Sequence, residues 1–322
     1  MIPLKDILIK VVKLLLLVGI LYYIFHGIDM QTLWHSLEAL SLPFVILAAF
    51  LYFSHLALFG ARWYYITNHE CPPRASFEVV FVAFFVNTFI PAKMGEVSRV
   101  FYLRKFYDYP THKTLSSIFY EKLFDMMFLS FLLILAAYVF FEDSSVSWMA
   151  VGILGSVILF LIAFARYEEA VWRVLHKVPH KSIRVFLKKM FKALRKKNTL
   201  KDFLVTTGLT FLIRLVNFFV VVALFRYAAH MPLSMEQLAV LFVATTVADF
   251  LPLAPGGTGV LHAAVVFVLT KYGIDKDTAL ASAIVYHLLI NMTPALVALV
   301  ILSQKRITFS SLMEKKPTPQ PS

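Results

Sequence analysis

The sequence predicts an all-α polytopic membrane protein. We expect about six full transmembrane helices and two re-entrant helical hairpins in an inverted-repeat arrangement. Three observations predict this fold class. Apolar residues make up 60% of the 322-residue chain and charged residues only 16%, against roughly 45–50% and 25% in a soluble domain. Several apolar stretches reach the roughly 20 residues that a bilayer crossing needs. Two further stretches are too short to cross, end near prolines and resemble each other. The composition excludes a soluble enzyme and a disordered tail. Cys71 is the single cysteine, so an internal disulfide and a thiolate metal site are excluded as well.

The expected spans lie at 8–25, 43–66, 115–141, 147–165, 202–229 and 277–302. The first starts with Lys5, Lys10 and Lys13 and lacks a small-residue cleavage site, so it reads as a retained anchor. The net charge of +12 is concentrated in residues 166–201, where twelve Lys and Arg face only Glu168 and Glu169. The positive-inside rule places that loop in the cytoplasm. Lys305, Arg306, Lys315 and Lys316 place the C-terminal tail, 306–322, on the same side. The segments near Asp29, Glu142 and His230 carry almost no Lys or Arg and read as external. Both termini are then cytoplasmic. Within the basic loop, Ile183, Phe186, Leu187, Met190, Phe191 and Leu194 follow one helical face. Residues 168–197 are therefore expected to lie in the membrane interface, drawn to anionic headgroups rather than to nucleic acid.

The short stretches are 76–90 with 94–108, and 236–252 with 256–272. Fifteen helical residues reach about 22 Å, short of a hydrocarbon core of about 30 Å. Pro91, Pro252 and Pro255 disfavour helix at the residue before each. Each pair reads as a hairpin broken at membrane depth, which is tolerated only inside protein or beside a polar cavity.

The hairpins also align. Phe81, Val82, Ala83, Val86, Phe89, Pro91 and Gly95 match Phe242, Val243, Ala244, Val247, Phe250, Pro252 and Gly256 in one register. After a small gap, Leu115, Ser117, Leu123 and Met127 match Leu280, Ser282, Leu288 and Met292. Repeat 1 spans about 43–141 and repeat 2 about 202–302, within one membrane domain covering 1–305. By the charge rule the first repeat begins outside and the second inside, so the two are inverted. Inverted repeats with interrupted helices mark transporters, with the site between the repeats.

After each break a new helix starts, and its first N–H groups favour phosphate or carboxylate. The first tip carries Lys93, Gly95, Glu96 and Arg99, and the second carries Gly256, Gly257 and Thr258. Arg214, Asn217 and Asp249 are further polar residues within apolar helices, where such groups default to functional hypotheses. These ten residues are the expected substrate-binding set. Lys93, Arg99 and Arg214 would meet a phosphate, and Glu96 or Asp249 would be the proton-coupling carboxylate. Arg62, Glu121 and Asp125 are expected to form supporting ion pairs. His262 and His287 read as packed or cavity-facing histidines. No spacing of His, Cys or acids supports a metal, and no cofactor is expected.

These residues resemble the transmembrane region of lysylphosphatidylglycerol synthases, the flippase-like domain family. The resemblance rests on Pro91-x3-Gly95-Glu96-x2-Arg99-x3-Leu103, Arg62-Trp63, Glu121-Lys122-x2-Asp125 and Pro255-Gly256-Gly257-x-Gly259-Val260. It covers about residues 8–305. The chain departs from the pattern at His262, where Glu is frequent, and at Lys122, where Arg is common. In that family the membrane part looks like a lipid translocase, and the aminoacyl-transferring activity belongs to a soluble C-terminal domain. This chain is expected to lack that domain and its enzymatic activity. The resemblance implies a flippase or scramblase of a prokaryotic cytoplasmic membrane, moving an anionic phospholipid or polyprenyl-phosphate lipid. It could work as a homo-oligomer or beside a lipid-modifying enzyme. The alternative is a scaffold or regulatory subunit of a lipid-modifying enzyme or glycosyltransferase, docked through the basic helix. A membrane enzyme acting on lipid phosphates would need a nucleophile beside a base, which the sequence does not offer.

Overall fold

A computed structural model of the protein describes residues 30–90, 93–140, 199–251 and 255–306, with residues 151–152, 155, 159, 184–189 and 192 between them. Every regular element among these is helical. The elements are α1 (Met30–Glu38), α2 (Leu42–Ile66), α3 (Pro73–Phe89), α4 (Gly95–Tyr107) and α5 (Thr111–Phe140), followed by α6 (Leu200–Val221), α7 (Met235–Phe250), α8 (Val260–Lys271) and α9 (Lys276–Gln304). A π-helical stretch, Val222–Ala228, continues α6, and a 3-10 turn, Pro255–Gly257, precedes α8.

Three of these helices are long and apolar enough to cross a membrane: Leu42–Ile66, Leu200–Ala228 and Lys276–Gln304. They coincide with three of the expected spans. The chain is an integral membrane protein. The expected spans 8–25 and 147–165 lie outside the described residues, as does most of the interfacial helix 168–197. Helix α5 covers the expected span at 115–141 but begins earlier, at Thr111, and carries Glu121, Lys122 and Asp125 in its middle.

The expected interruptions are present. Helix α3 has 17 residues and α4 has 13, while α7 has 16 and α8 has 12. At 1.5 Å per residue none exceeds about 26 Å, less than a hydrocarbon core. Two features were not legible beforehand. One is the short helix α1. The other is Pro294 inside α9. Proline removes the amide that would bond one turn back. Next to it, Asn291 Nδ2 donates to the His287 carbonyl at 2.8 Å and the Thr293 hydroxyl donates to the Leu289 carbonyl at 2.8 Å.

The chain divides into two units. The first comprises residues up to His55, Phe84–Gly95 and Leu215–Val297. Its buried side chains include Leu224, Phe225, Leu238, Leu241, Val265, Leu269 and Leu280. Ala279, Ser282 and Ala283 give α9 a buried stripe of small residues at i, i+3, i+4 spacing, which allows close helix approach. Helices α7 and α8 pack on each other. Ser234 begins α7 by accepting the Gln237 amide at 3.2 Å, while Gln237 Oε1 accepts the Ser234 amide at 2.9 Å. This reciprocal cap stabilises the helix start. Asp275 begins α9 by accepting the Thr278 amide at 2.8 Å. Burial alone would raise its carboxyl, but hydrogen bonds from Thr278 and from nearby amides outweigh that and hold it below the usual range.

The second unit comprises Leu56–Ala83, Glu96–Arg214 and the residues from Ala298. Gly60 sets the approach of α2 to α3, since a Cβ there would fall 2.8 Å from the Phe77 ring and 3.1 Å from its Cα. Glu78 of α3 is a buried hub. It accepts the Tyr102 hydroxyl at 2.7 Å, the Tyr107 hydroxyl at 2.5 Å and Arg74 Nε at 2.7 Å. Lys305, just past α9, adds an ion pair at 3.5 Å. A carboxylate offers about four acceptor sites, so the hub is well satisfied.

Candidate functional site

Each unit carries one group of polar residues that its apolar surroundings make conspicuous. In the first unit the group gathers at the helix interruptions. Helix α3 ends at Phe89 with Asn87 and Thr88 in its last turn. The Asn87 carbonyl oxygen accepts the Gly95 amide at 2.7 Å, so it caps the start of α4. The Thr88 hydroxyl lies 2.9 Å from Asn291 Oδ1 on α9. Asn291 also reaches the Gly256 carbonyl, at 3.5 Å, and His287 Nε2 approaches the same carbonyl at 2.9 Å. The two interruptions therefore meet against one face of α9.

Gly256 adopts a φ of 58°, a region that side chains rarely enter. A Cβ there would sit 3.0 Å from Asn291 Oδ1 and 3.3 Å from the Thr88 carbonyl. Glycine is thus required twice, for backbone and for space. Gly257 and Gly259 flank Thr258 and also have positive φ, 74° and 83°. The Gly259 amide donates to His262 Nδ1 at 3.4 Å, one turn into α8.

Two of the amides expected to be open at the tips, those of Gly95 and Gly259, are therefore capped by side chains of the chain itself. Lys93 takes a φ of 54°, unusual for a residue with a side chain. Its ammonium lies 3.8 Å from Asp249 at the end of α7 and 5.1 Å from the Phe250 ring. Asp249 is 62% exposed and Lys93 32%, so this pair is not sealed among the described residues. Asn217 Oδ1 is buried and accepts no hydrogen bond among the described residues.

In the second unit four helices contribute charges to one buried cluster. Arg62 of α2 is fully buried and donates to Asp125 at 2.9 Å and to the Thr210 hydroxyl at 2.9 Å. Its other terminal nitrogen lies 3.7 Å from Glu121. Arg99 of α4 is 2% exposed and bonds both Glu121 oxygens, at 3.1 and 3.0 Å. It also stacks 5.0 Å from the Trp63 ring. Arg214 of α6 lies 3.6 Å from Asp125. Lys122 pairs with Glu96 at 2.7 Å, and Arg99 approaches Glu96 at 3.4 Å.

Four cations thus face three carboxylates among the described residues, an excess of one positive charge. Arg62 Nε and Nη2 and Arg99 Nε make no hydrogen bond there. Buried charges demand partners, and an excess of one sign attracts the other.

Sequence reasoning placed Arg62, Glu121 and Asp125 apart from Arg99 and Arg214, as structural pairs against a phosphate-binding set. The structure brings all five into one cluster, with Glu96. It brings Lys93, Gly95, Asp249, Gly256, Gly257 and Thr258 to the interruptions. Asn87, Thr88, Thr210 and Lys122 were missed as participants. The available signal was a polar pair, Asn87-Thr88, closing the apolar run 79–86 of α3 one turn before a break. No group of three His, Cys, Asp or Glu close enough to hold a metal occurs among the described residues.

Comparison with known proteins adds an independent line. The family model for the lysylphosphatidylglycerol synthase TM region matches residues 10–298. A UPF0104 membrane protein of Methanocaldococcus jannaschii is 28% identical over 221 residues, covering 64% of this chain and 87% of that protein. Another, from Methanothermobacter thermautotrophicus, is 20% identical over 278 residues, covering 76% of this chain and 80% of that protein.

Proposed function

The chain belongs to the lysylphosphatidylglycerol synthase TM region family, and from that premise we propose that it is a membrane lipid translocase, a flippase or scramblase. Its substrate is an anionic phospholipid or a polyprenyl-phosphate lipid, moved between the leaflets of a prokaryotic cytoplasmic membrane. Both termini face the cytoplasm. The observation that carries this reading is the meeting of two interrupted helices, one from each sequence repeat, at Thr88, Gly256 and Asn291. Discontinuous helices paired across inverted repeats supply substrate sites in transporters because their broken backbone offers polar groups at membrane depth.

Lys93 supplies the positive charge for the phosphate, with Gly95, Gly256, Gly257 and Thr258 letting the headgroup approach the backbone. The cluster of Arg62, Arg99, Arg214 and Lys122 with Glu96, Glu121 and Asp125 has a net positive charge that favours an anion over a cation in the same membrane region. Headgroup-labelled phosphatidylglycerol in proteoliposomes tests the reading. Transbilayer movement should exceed that of protein-free vesicles. Lys93→Ala should slow it about ten- to hundredfold, the loss of one charge-assisted hydrogen bond. Movement no faster than in empty vesicles, or a Lys93→Ala variant equal to wild type, would sink it.

A further inference from the structure

Resting on the translocase reading for the source of the ligand, we propose that the charge cluster of the second unit holds a further anion site, whose mouth is the Lys122–Glu96 pair. Its ligand is a phosphodiester monoanion, the headgroup phosphate of an anionic lipid. In this structure the Glu96 carboxylate occupies the place that the phosphate takes when it binds. Glu96 is then a counter-ion that yields, not the proton-coupling carboxylate expected from the sequence.

The depth of the pair follows from the two helices that carry it. Arg104, Lys105, Asp108 and Lys113 flank the turn between α4 and α5 and hold it at headgroup level. Glu96 lies eleven residues before the end of α4 at Tyr107, and Lys122 eleven after the start of α5 at Thr111. Both are therefore about 16 Å along their helices from that turn, near the middle of a hydrocarbon core of about 30 Å. At that level the two side chains meet, at 2.7 Å. Protein surrounds Lys122, yet 37% of its side chain is accessible, so it lines a recess. Charged groups at this depth face a polar recess rather than lipid tails. The mouth is thus open to water and to a polar headgroup.

Glu96 is held less firmly than the other two carboxylates. Glu121 is fully buried and takes two bonds from Arg99, at 3.1 and 3.0 Å. Asp125 is buried and takes Arg62 at 2.9 Å. Glu96 is 20% exposed, and its short contact is to Lys122 alone. Its other oxygen lies 3.4 Å from Arg99 Nε, which makes no hydrogen bond among the described residues although Arg99 is buried. A buried donor without an acceptor is costly. A phosphodiester presents two oxygens that share one negative charge, as a carboxylate does, but holds them farther apart on a larger central atom. One oxygen meets Lys122, and the other meets the Arg99 Nε that Glu96 leaves unbonded.

The charge balance selects the ligand. With Glu96 turned aside, Arg62, Arg99, Lys122 and Arg214 face only Glu121 and Asp125, an excess of two positive charges among the described residues. One phosphodiester charge returns the excess to one, its value with Glu96 in place. A zwitterionic headgroup brings an ammonium as well, which Lys122 repels. Glu96 sits in the first turn of α4, where the helix itself favours a negative charge. Lys93 is not part of this site, since it pairs with Asp249 instead.

Thermal unfolding of the purified full-length protein in one detergent tests the site. Every protein compared carries Lys93→Ala, so that the interruptions contribute no cation from that position. The probes, at one ionic strength, are phosphatidylglycerol, phosphatidylcholine and glycerophosphoglycerol, the phosphodiester without acyl chains. A ligand that binds only the folded protein raises the unfolding midpoint as it saturates. Phosphatidylglycerol should do so and phosphatidylcholine should not. Half-saturation should need about tenfold more phosphatidylglycerol in Lys122→Met and about tenfold less in Glu96→Gln, the effect of one charge-assisted bond lost or one competitor removed. Lys122→Arg keeps the charge and should bind as Lys122 does. A pair that serves only the fold predicts a lower midpoint in Glu96→Gln with unchanged ligand dependence, and that result overturns the proposal. Stabilisation indifferent to Lys122→Met, or equal stabilisation by phosphatidylcholine, overturns it too. Glycerophosphoglycerol tells the sources apart: a rise with it alone overturns the lipid as ligand, and a rise smaller than with phosphatidylglycerol supports it. The measurement needs no transport. Binding here in a protein that moves no lipid would refute the translocase reading alone, and transport without binding here would refute this site alone.

Discussion

Asp125→Asn removes one charge from the buried cluster while keeping the size of the side chain. Asp125 accepts Arg62 at 2.9 Å, and its oxygens lie 3.6 Å from Arg214 and 3.8 Å from Lys122. Its loss leaves Arg62, Arg99, Lys122 and Arg214 facing Glu96 and Glu121, an excess of two positive charges. Removing one partner of a buried pair costs about 3–5 kcal/mol, because the remaining charge stays desolvated. At roughly 2–4 °C per kcal/mol for a chain of this size, the unfolding midpoint should fall by about 6–20 °C.

The double variant Arg62→Met with Asp125→Leu returns the excess to one charge, as in wild type. It should therefore be more stable than Asp125→Asn, since an ion pair replaced whole by apolar groups is often close to neutral. Thermal unfolding followed by tryptophan fluorescence in one detergent measures all three proteins. A midpoint for Asp125→Asn within about 1 °C of wild type, or a double variant that loses more than the single, would refute the reasoning that charge balance governs the cluster.

Gly256→Ala should destabilise by about 1–3 kcal/mol, because alanine is strained at a φ of 58° and its Cβ collides with Asn291 and Thr88; the same unfolding assay reads it. Glu78→Leu strands the buried Tyr102 hydroxyl and should cost about 1–3 kcal/mol. Adding Tyr102→Phe should recover part of that loss, and the double-variant cycle measures how much. Asp275 has a folded pKa below its unfolded value of about 3.9, so its stabilisation of the α9 start is present above that pH and is lost as pH falls through the folded value. Hydrogen exchange across 276–281 should show protection declining only in that acid range in wild type, and already low at neutral pH in Asp275→Ala.

Much of this was legible in the primary structure because it depends on local chemistry. Proline and glycine at matched positions predicted both interruptions, and the described helices stop and restart within a few residues of those positions. The polar residues in apolar helices were equally visible, because lipid makes each of them costly. Their partners were not. Arg99 was expected to meet a substrate phosphate, yet its closest bonds go to Glu121, twenty-two residues away from it in the chain. Asn87 and Thr88 gave no spacing motif, because their partners are a backbone amide across a break and an asparagine two hundred residues away.

By itself, then, the sequence determined that the chain lives in a membrane, where its helices are interrupted and which residues are too polar to be there without reason. Only the tertiary structure decided which of those residues share a cluster and which caps close the tips. The physical reason lies in the solvent. In water, a helix shows its buried face by an apolar stripe. In lipid, the outer face is as apolar as the inner one, so helices such as α2 and α9 carry no stripe that would tell, before folding, which side meets protein.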